Sequence, residues 1–348
     1  MDSVFSNKNL FIGIDVHKKR WVVTIRSYDL ELKTFSMIAD ANKLEEVFSN
    51  NYRGALIHIV YECSFSGFWV YDYFKEKGYD IIVTPTNRIF RDGSLVKTDK
   101  IDSRKLAFHL SRGLLKEVVV PTEKIREYRS IFKIFDKQKE REGVILREIR
   151  CILEQRNHPM KWDRWNKAFV ERLKTVEFQE PIFNRKFQSL IKEYEFVCDQ
   201  LRDSKASIID MADDVELKDK VDRIVKINGV GITSAVRMVV FLFDRKDHFK
   251  TGAQLVHHIG LTPSEWSSGE EVRKGKSGLA GDKKLRGIII QLAWVAVRKD
   301  GALMDKFDRV YKNSGCKQKA IVAVARKLMM KIHAITIKEE DYEVNKAA

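Results

Sequence analysis

The chain reads as an α/β domain followed by a helical body, on three observations. The first 120 residues alternate short β-forming runs with helical patterns, the middle hundred hold long apolar periodicity and a single glycine, Gly143, and the last third sets glycine turns before apolar helices. With 348 residues and 44% hydrophobic content it can bury more than one core, so length suggests two domains and a connector. The expected divisions are 1–120, 121–220 and 221–340.

In the first division, residues 10–14, 21–25 and 32–37 read as three successive strands. Residues 41–50 then read as a helix, 55–61 as a fourth strand, 67–77 as a helix, 80–83 as a fifth strand and 102–113 as a helix. Three hairpin-linked strands, helix, strand, helix, strand is the order used by a ribonuclease-H-like domain, with a first acid on the first strand and a second on the fourth. Fold analogy alone is weak evidence of function.

Acids stand at those two places. Asp15 lies in Phe11-Ile12-Gly13-Ile14-Asp15-Val16 and Glu62 ends Ile57-His58-Ile59-Val60-Tyr61-Glu62. Asp99 and Asp102, three apart in Lys97-Thr98-Asp99-Lys100-Ile101-Asp102, share one face of a helix. An acid at the end of an apolar strand is normally avoided, and strand edges of this kind carry sites in α/β folds. The four together point to hard cations, two Mg²⁺ ions activating attack at a phosphodiester. Singly, each acid reads as solvated surface, and Asp99 as a cap for the helix carrying Asp102.

The middle division reads as an antiparallel helical arm. Phe183, Phe187, Leu190, Tyr194, Val197 and Leu201 alternate steps of four and three, with Ile208 a heptad further. Ile131, Phe135, Ile145, Ile149 and Ile152 repeat similarly, interrupted by polar Gln138 and Glu142. Pro159, Trp162 and Trp165 mark the expected tip. Such a seam pairs helices within one chain or between subunits.

The last division opens on Ile227-Asn228-Gly229-Val230-Gly231-Ile232-Thr233, which looks like a helix-hairpin-helix turn. Gly229 and Gly231 would let backbone N–H groups meet a phosphate, and a plain interhelical loop fits equally. Downstream, Ser267-Ser268-Gly269 offers an approachable hydroxyl, although Ser-Ser-Gly is also common loop composition. It is followed by Arg273, Lys274, Lys276, Lys283, Lys284 and Arg286, cations suited to a pentavalent phosphate. Asp92 and Asp282 are stray acids whose glycine neighbours fit turns.

Net charge is +15, and the last 128 residues hold 24 basic against 14 acidic residues, so the excess that fits a phosphate-rich partner is C-terminal. The four cysteines are scattered without a Cys-x-x-Cys pair, which argues against a disulfide framework and a zinc site. No run approaches the roughly 20 apolar residues of a membrane span, and Met1-Asp2-Ser3-Val4-Phe5 lacks signal-peptide character. A cytoplasmic, prokaryotic, nucleoid-associated protein without a membrane partner is expected.

These motifs in this order resemble the DEDD insertion-sequence transposases, which include the Piv invertase and the bridge-RNA-guided recombinases. Matching stretches are Gly13-Ile14-Asp15-Val16-His17-Lys18, Tyr61-Glu62, Lys97-Thr98-Asp99-Lys100-Ile101-Asp102, Gly229-Val230-Gly231, Gly260-Leu261-Thr262-Pro263, Ser267-Ser268-Gly269, Gly281-Asp282-Lys283-Lys284-Leu285-Arg286 and Ala323-Val324-Ala325-Arg326-Lys327. The resemblance implies a RuvC-like domain, a coiled-coil connector and a mostly helical transposase domain with a nucleophilic serine. It maps the four acids, binding Mg²⁺ or Mn²⁺, onto Asp15, Glu62, Asp99 and Asp102. The serine falls on Ser268, with Ser267 next because the doublet leaves the register ambiguous.

The resemblance further implies a phosphoserine link to DNA, a structured noncoding guide RNA, and a dimer or tetramer with composite active sites. Ser103 departs from the alanine expected after the last acid, and residues 88–92 have no match. Rival readings are a RuvC-like nuclease using water, a DNA invertase without an RNA guide, and a non-enzymatic scaffold whose acids are structural.

Overall fold

The computed structural model describes residues 4–86, 98–158, 167–245, 247–268, 271–277 and 281–338. The chain divides into two compact units, Met1–Val120 and Pro121–Ala348. The first contains β1 (Asn9–Val16), β2 (Arg20–Arg26), β3 (Glu31–Ile38), α1 (Ala41–Asn51), β4 (Leu56–Glu62), α2 (Trp69–Glu76), β5 (Asp80–Thr84) and α3 (Asp99–Ser111).

Its sheet has the order β3-β2-β1-β4-β5. Short turns make β1, β2 and β3 antiparallel neighbours, whereas β4 and β5, each reached through a helix, lie parallel to β1 and β4. One face of the sheet carries Ile12, Ile14, Val23 and Ile25, which join Leu44 and Phe48 of α1 and Val70 and Phe74 of α2 in one core. Gly13 and Thr24, paired across β1 and β2, lie on the opposite face beneath α3.

Gly13 is what lets α3 lie so close. A Cβ there would stand 2.2 Å from the Ser103 carbonyl oxygen and 2.5 Å from the Ala107 nitrogen, both backbone atoms. The departure at Ser103 has a structural use, because its buried hydroxyl meets Thr24 Oγ1 at 2.9 Å and donates to Lys100 O at 3.1 Å. The helix begins three residues before the expected 102 because Thr98 caps it, its side chain accepting from the Ile101 N–H. Asp99 is therefore not the cap, and both acids sit in the first turn, where the helix dipole favours negative charge.

The second unit holds the long helices α4 (Glu123–Gln155) and α6 (Pro181–Asp210), with α5 (Lys167–Lys174) between them in sequence. They run antiparallel: Tyr128 donates to Asp214, Ser204 donates to Gln138 at 2.7 Å, and the Arg156 guanidinium lies 4.1 Å from the Phe183 ring centre. Phe187, Tyr194, Val197, Ile208, Ile145 and Ile149 are buried as expected. On α4, however, Phe132 and Leu153 take the buried places expected for Ile131 and Ile152, and on α6 Ile191 is fully buried where Leu190 is only partly so. A 3.6-residue helix drifts off a 3.5-residue template, which explains one-residue errors of this kind. The expected tip at Pro159, Trp162 and Trp165 lies outside the described residues.

The rest comprises α7 (Lys218–Val225), α8 (Ile232–Leu242), α9 (Gly252–His258), β6 (Pro263–Ser268), β7 (Glu271–Ser277), α10 (Lys283–Ala296), α11 (Gly301–Ser314) and α12 (Lys317–Lys338). A core of α8, α10 and α12 side chains, among them Val239, Ile289 and Leu328, takes in Ile125 and Phe132 of α4. The polar stretch read as a loop is an antiparallel hairpin, β6 with β7. Among the described residues no helix is long and apolar enough to cross a membrane.

Candidate metal centre

Sheet register sets the first two acids side by side. Ile14 pairs with Tyr61 across parallel β1 and β4, so Asp15 and Glu62 come next on neighbouring strands. Residues level on adjacent strands share a face, with backbones roughly 4.8 Å apart. Asp15 follows Gly13 by two residues and so faces α3, whose first turn carries Asp99 and Asp102. Of the four predicted acids, Asp15 and Asp99 bring ligand atoms within 4.8 Å of one another together with His17, whereas Glu62 and Asp102 are not part of that group.

The convergence registers in the electrostatics of Asp15. Burial, chiefly, raises its carboxyl above the ordinary range; His17 opposes the shift, and the charges of Asp99 and Asp102 add to it. Two carboxylates and an imidazole, each able to turn one ligand atom to a common point, form a donor set that fits a divalent ion. His17 is the residue that sequence reasoning passed over. Its Nε2 stands 3.2 Å from Asp15 Oδ2 and 3.7 Å from Asp99 Oδ1, and the three residues each offer a ligand atom within 4.8 Å of one another. The period-2 rule could have found it, since a residue two beyond Asp15 in an extended segment shares its face.

Two transposase family models match the chain, in order. The one for DEDD transposases of IS110 type, described as "Transposase", spans residues 12–153 and takes in all four acids; the one described as "Transposase IS116/IS110/IS902 family" spans 221–309. The chain belongs to the IS110 family of transposases. Of the proteins it is similar to, a Sinorhizobium fredii protein carrying the name "Putative transposase y4qE" is 22% identical over 299 residues, covering 84% of this chain and 73% of its own. The Coxiella burnetii transposase for insertion sequence element IS1111A is 26% identical over 260 residues, covering 71% of this chain and 68% of its own. This IS110 chain is thus a DNA transposase, an enzyme of DNA recombination, and its DEDD character implies a divalent metal.

The remaining candidate residues of this IS110 transposase lie in its second unit. Ser267 and Ser268 end β6, their backbones paired with Val272 and Glu271, and Arg273, Lys274 and Lys276 lie on β7; the side chains of all five are outside the described set. Gly229 has a packing reason for being glycine: its φ is +90°, and a Cβ would stand 2.5 Å from Val295 Cγ1. Gly231 precedes α8 with nothing within 4 Å of an added Cβ, which leaves that helix start approachable.

Asp282 is a helix cap, accepting from the Lys284 and Leu285 N–H groups, so α10 begins at Lys283. Lys284 meets Glu140 of α4 at 3.0 Å, and hydrogen bonds from Lys137, chiefly, and from Lys284 hold the exposed Glu140 carboxyl down at about 2. Arg286 donates to the Ile259 carbonyl at 3.5 Å. Asp92 lies outside the described residues.

Proposed function

We propose that the protein cuts and rejoins the DNA of an insertion sequence through a phosphoserine link on Ser268, with Ser267 as the substitute, supported by Mg²⁺ or Mn²⁺ at Asp15, Glu62, Asp99 and Asp102. The observation that carries this reading is the grouping of Asp15 at the end of β1 with Asp99 in the first turn of α3 and His17, their ligand atoms within 4.8 Å of one another. The sheet order, with acids ending its first and fourth strands, supports a ribonuclease-H-like, RuvC-like first domain. A cation held there would stabilise charge building up on a phosphate.

In the reaction, the serine Oγ forms a bond to phosphorus as a DNA oxygen leaves as a hydroxyl. A hydroxyl of the exchanged strand then expels the serine. The link conserves the phosphodiester, so no nucleotide cofactor is required. Lys283, Lys284, Arg286, Arg273, Lys274 and Lys276, with the Gly229 and Gly231 turn, would contact DNA. A structured noncoding RNA would supply target choice, and a dimer or tetramer would bring one chain's acids to another chain's serine.

Denaturing electrophoresis of the protein with Mg²⁺, labelled element-end DNA and RNA transcribed from the element's flanks tests this. An adduct lost in Ser268→Ala and in Asp102→Ala is the expected result, and its dependence on the RNA decides guidance. Recovery of the adduct on mixing those two variants would demonstrate sites shared between subunits. Cleavage without an adduct would replace the serine with water, as in a RuvC-like nuclease.

A further inference from the structure

We propose that His17 is a ligand of the metal centre, making it a mixed nitrogen and oxygen site that favours Mn²⁺ over Mg²⁺. The inference rests on the metal-centre reading above and deepens it. An octahedral ion with bonds of about 2.1 Å sets adjacent ligand atoms about 3.0 Å apart and opposite ones about 4.2 Å apart. Nε2 of His17 lies 3.2 Å from an oxygen of Asp15 and 3.7 Å from an oxygen of Asp99, between those two spacings. One ring nitrogen therefore faces acids from two elements, the end of β1 and the start of α3.

A surface ion pair would need only one of those acids, and such pairs contribute little. The same nitrogen reaching a second acid, on a different element, with all three ligand atoms within 4.8 Å of one another, is the arrangement a shared cation would use. Mg²⁺ keeps to carboxylates and water, whereas an imidazole nitrogen favours first-row transition ions over it, and Mn²⁺ is the one of these that also suits the carboxylates. The His17 side chain is 51% exposed, so replacing it should leave the core intact.

The test is pulsed electron paramagnetic resonance on the full chain loaded with Mn²⁺, with calorimetric titration of Mn²⁺ and Mg²⁺. Expected are ¹⁴N modulation in the wild type that disappears in His17→Gln, a loss of about tenfold in Mn²⁺ affinity and a much smaller change for Mg²⁺. His58→Gln should keep the modulation, because His58 is held by Asn9 and Asp80 at the opposite end of β1. Mn²⁺ that binds and is lost in Asp15→Asn, but shows no ¹⁴N modulation or keeps it in His17→Gln, would overturn the role of His17 and leave the metal centre standing. Absence of saturable Mn²⁺ binding, or binding indifferent to Asp15→Asn, would overturn both.

Discussion

Gly13 and Gly229 both stand where a helix comes too close for a side chain, yet what each meets is different. Gly13 in β1 faces main-chain atoms of α3, while Gly229 in the turn after α7 faces the side chain of Val295 on α10. A main chain inside a packed helix cannot yield without lifting the helix, whereas at Val295 the Cγ1 can turn away and only the Cβ is fixed to the helix. The Gly-x-Gly turn is the louder signal in the sequence, but the glycine buried within a strand positions the acids.

Gly13→Ala should have the largest effect, costing about 3 kcal/mol or more in urea unfolding and abolishing Mn²⁺ binding, because α3 must rise and carry Asp99 and Asp102 away. Leu106→Ala should not rescue it, since the clash is with the backbone. Gly229→Ala should cost about 2 kcal/mol, part from its positive φ and part from Val295. Adding Val295→Ala removes the Cγ1 contact but keeps the Cβ at 2.7 Å, so it should restore only a fraction of the loss, and full restoration would mean that neither the conformation nor that Cβ contributes.

Ser103→Ala isolates polar contact from steric fit under the same helix. Thr24 Oγ1 keeps Thr34 Oγ1 at 2.9 Å, so the expected loss is about 1 kcal/mol with Mn²⁺ affinity unchanged. A change in affinity would show that this hydroxyl tunes where α3 sits.

The smallest effect is a pH dependence in the second unit. Burial, then Arg245 and His248, lower the His258 pKa, so the unfolded chain takes up that proton more readily. The neutral ring's contribution is present above the unfolded pKa of about 6.5 and is lost as pH falls below it. Between about pH 7.5 and 5.5 the wild type should lose more of its urea midpoint than His258→Gln; equal losses would remove His258 from the account.

The five-stranded sheet was legible because β1, β2, β4 and β5 are apolar runs of strand length, and their assigned ends differ from those read in the sequence by only a residue or two. The hairpin of β6 and β7 was not, because Ser264-Glu265-Trp266-Ser267-Ser268 and Glu271-Val272-Arg273-Lys274 carry no alternating apolar pattern. The buried face of α4 was legible only to within a residue, and Gln138, read as an interruption, lies inside the seam. Asp15, Asp99 and Asp102 were named from spacing, while His17 was passed over although it stands two residues beyond Asp15, because only the fold shows its ring beside Asp15 and Asp99.

The pairing of Gln138 with Ser204 also bears on how the arm can move. One polar pair inside an apolar seam leaves a single comfortable register, because sliding by a heptad would strand an amide in hydrocarbon at a cost of about 1–3 kcal/mol. The arm therefore behaves as a strut of fixed length. Its length is set by the register that this pair fixes.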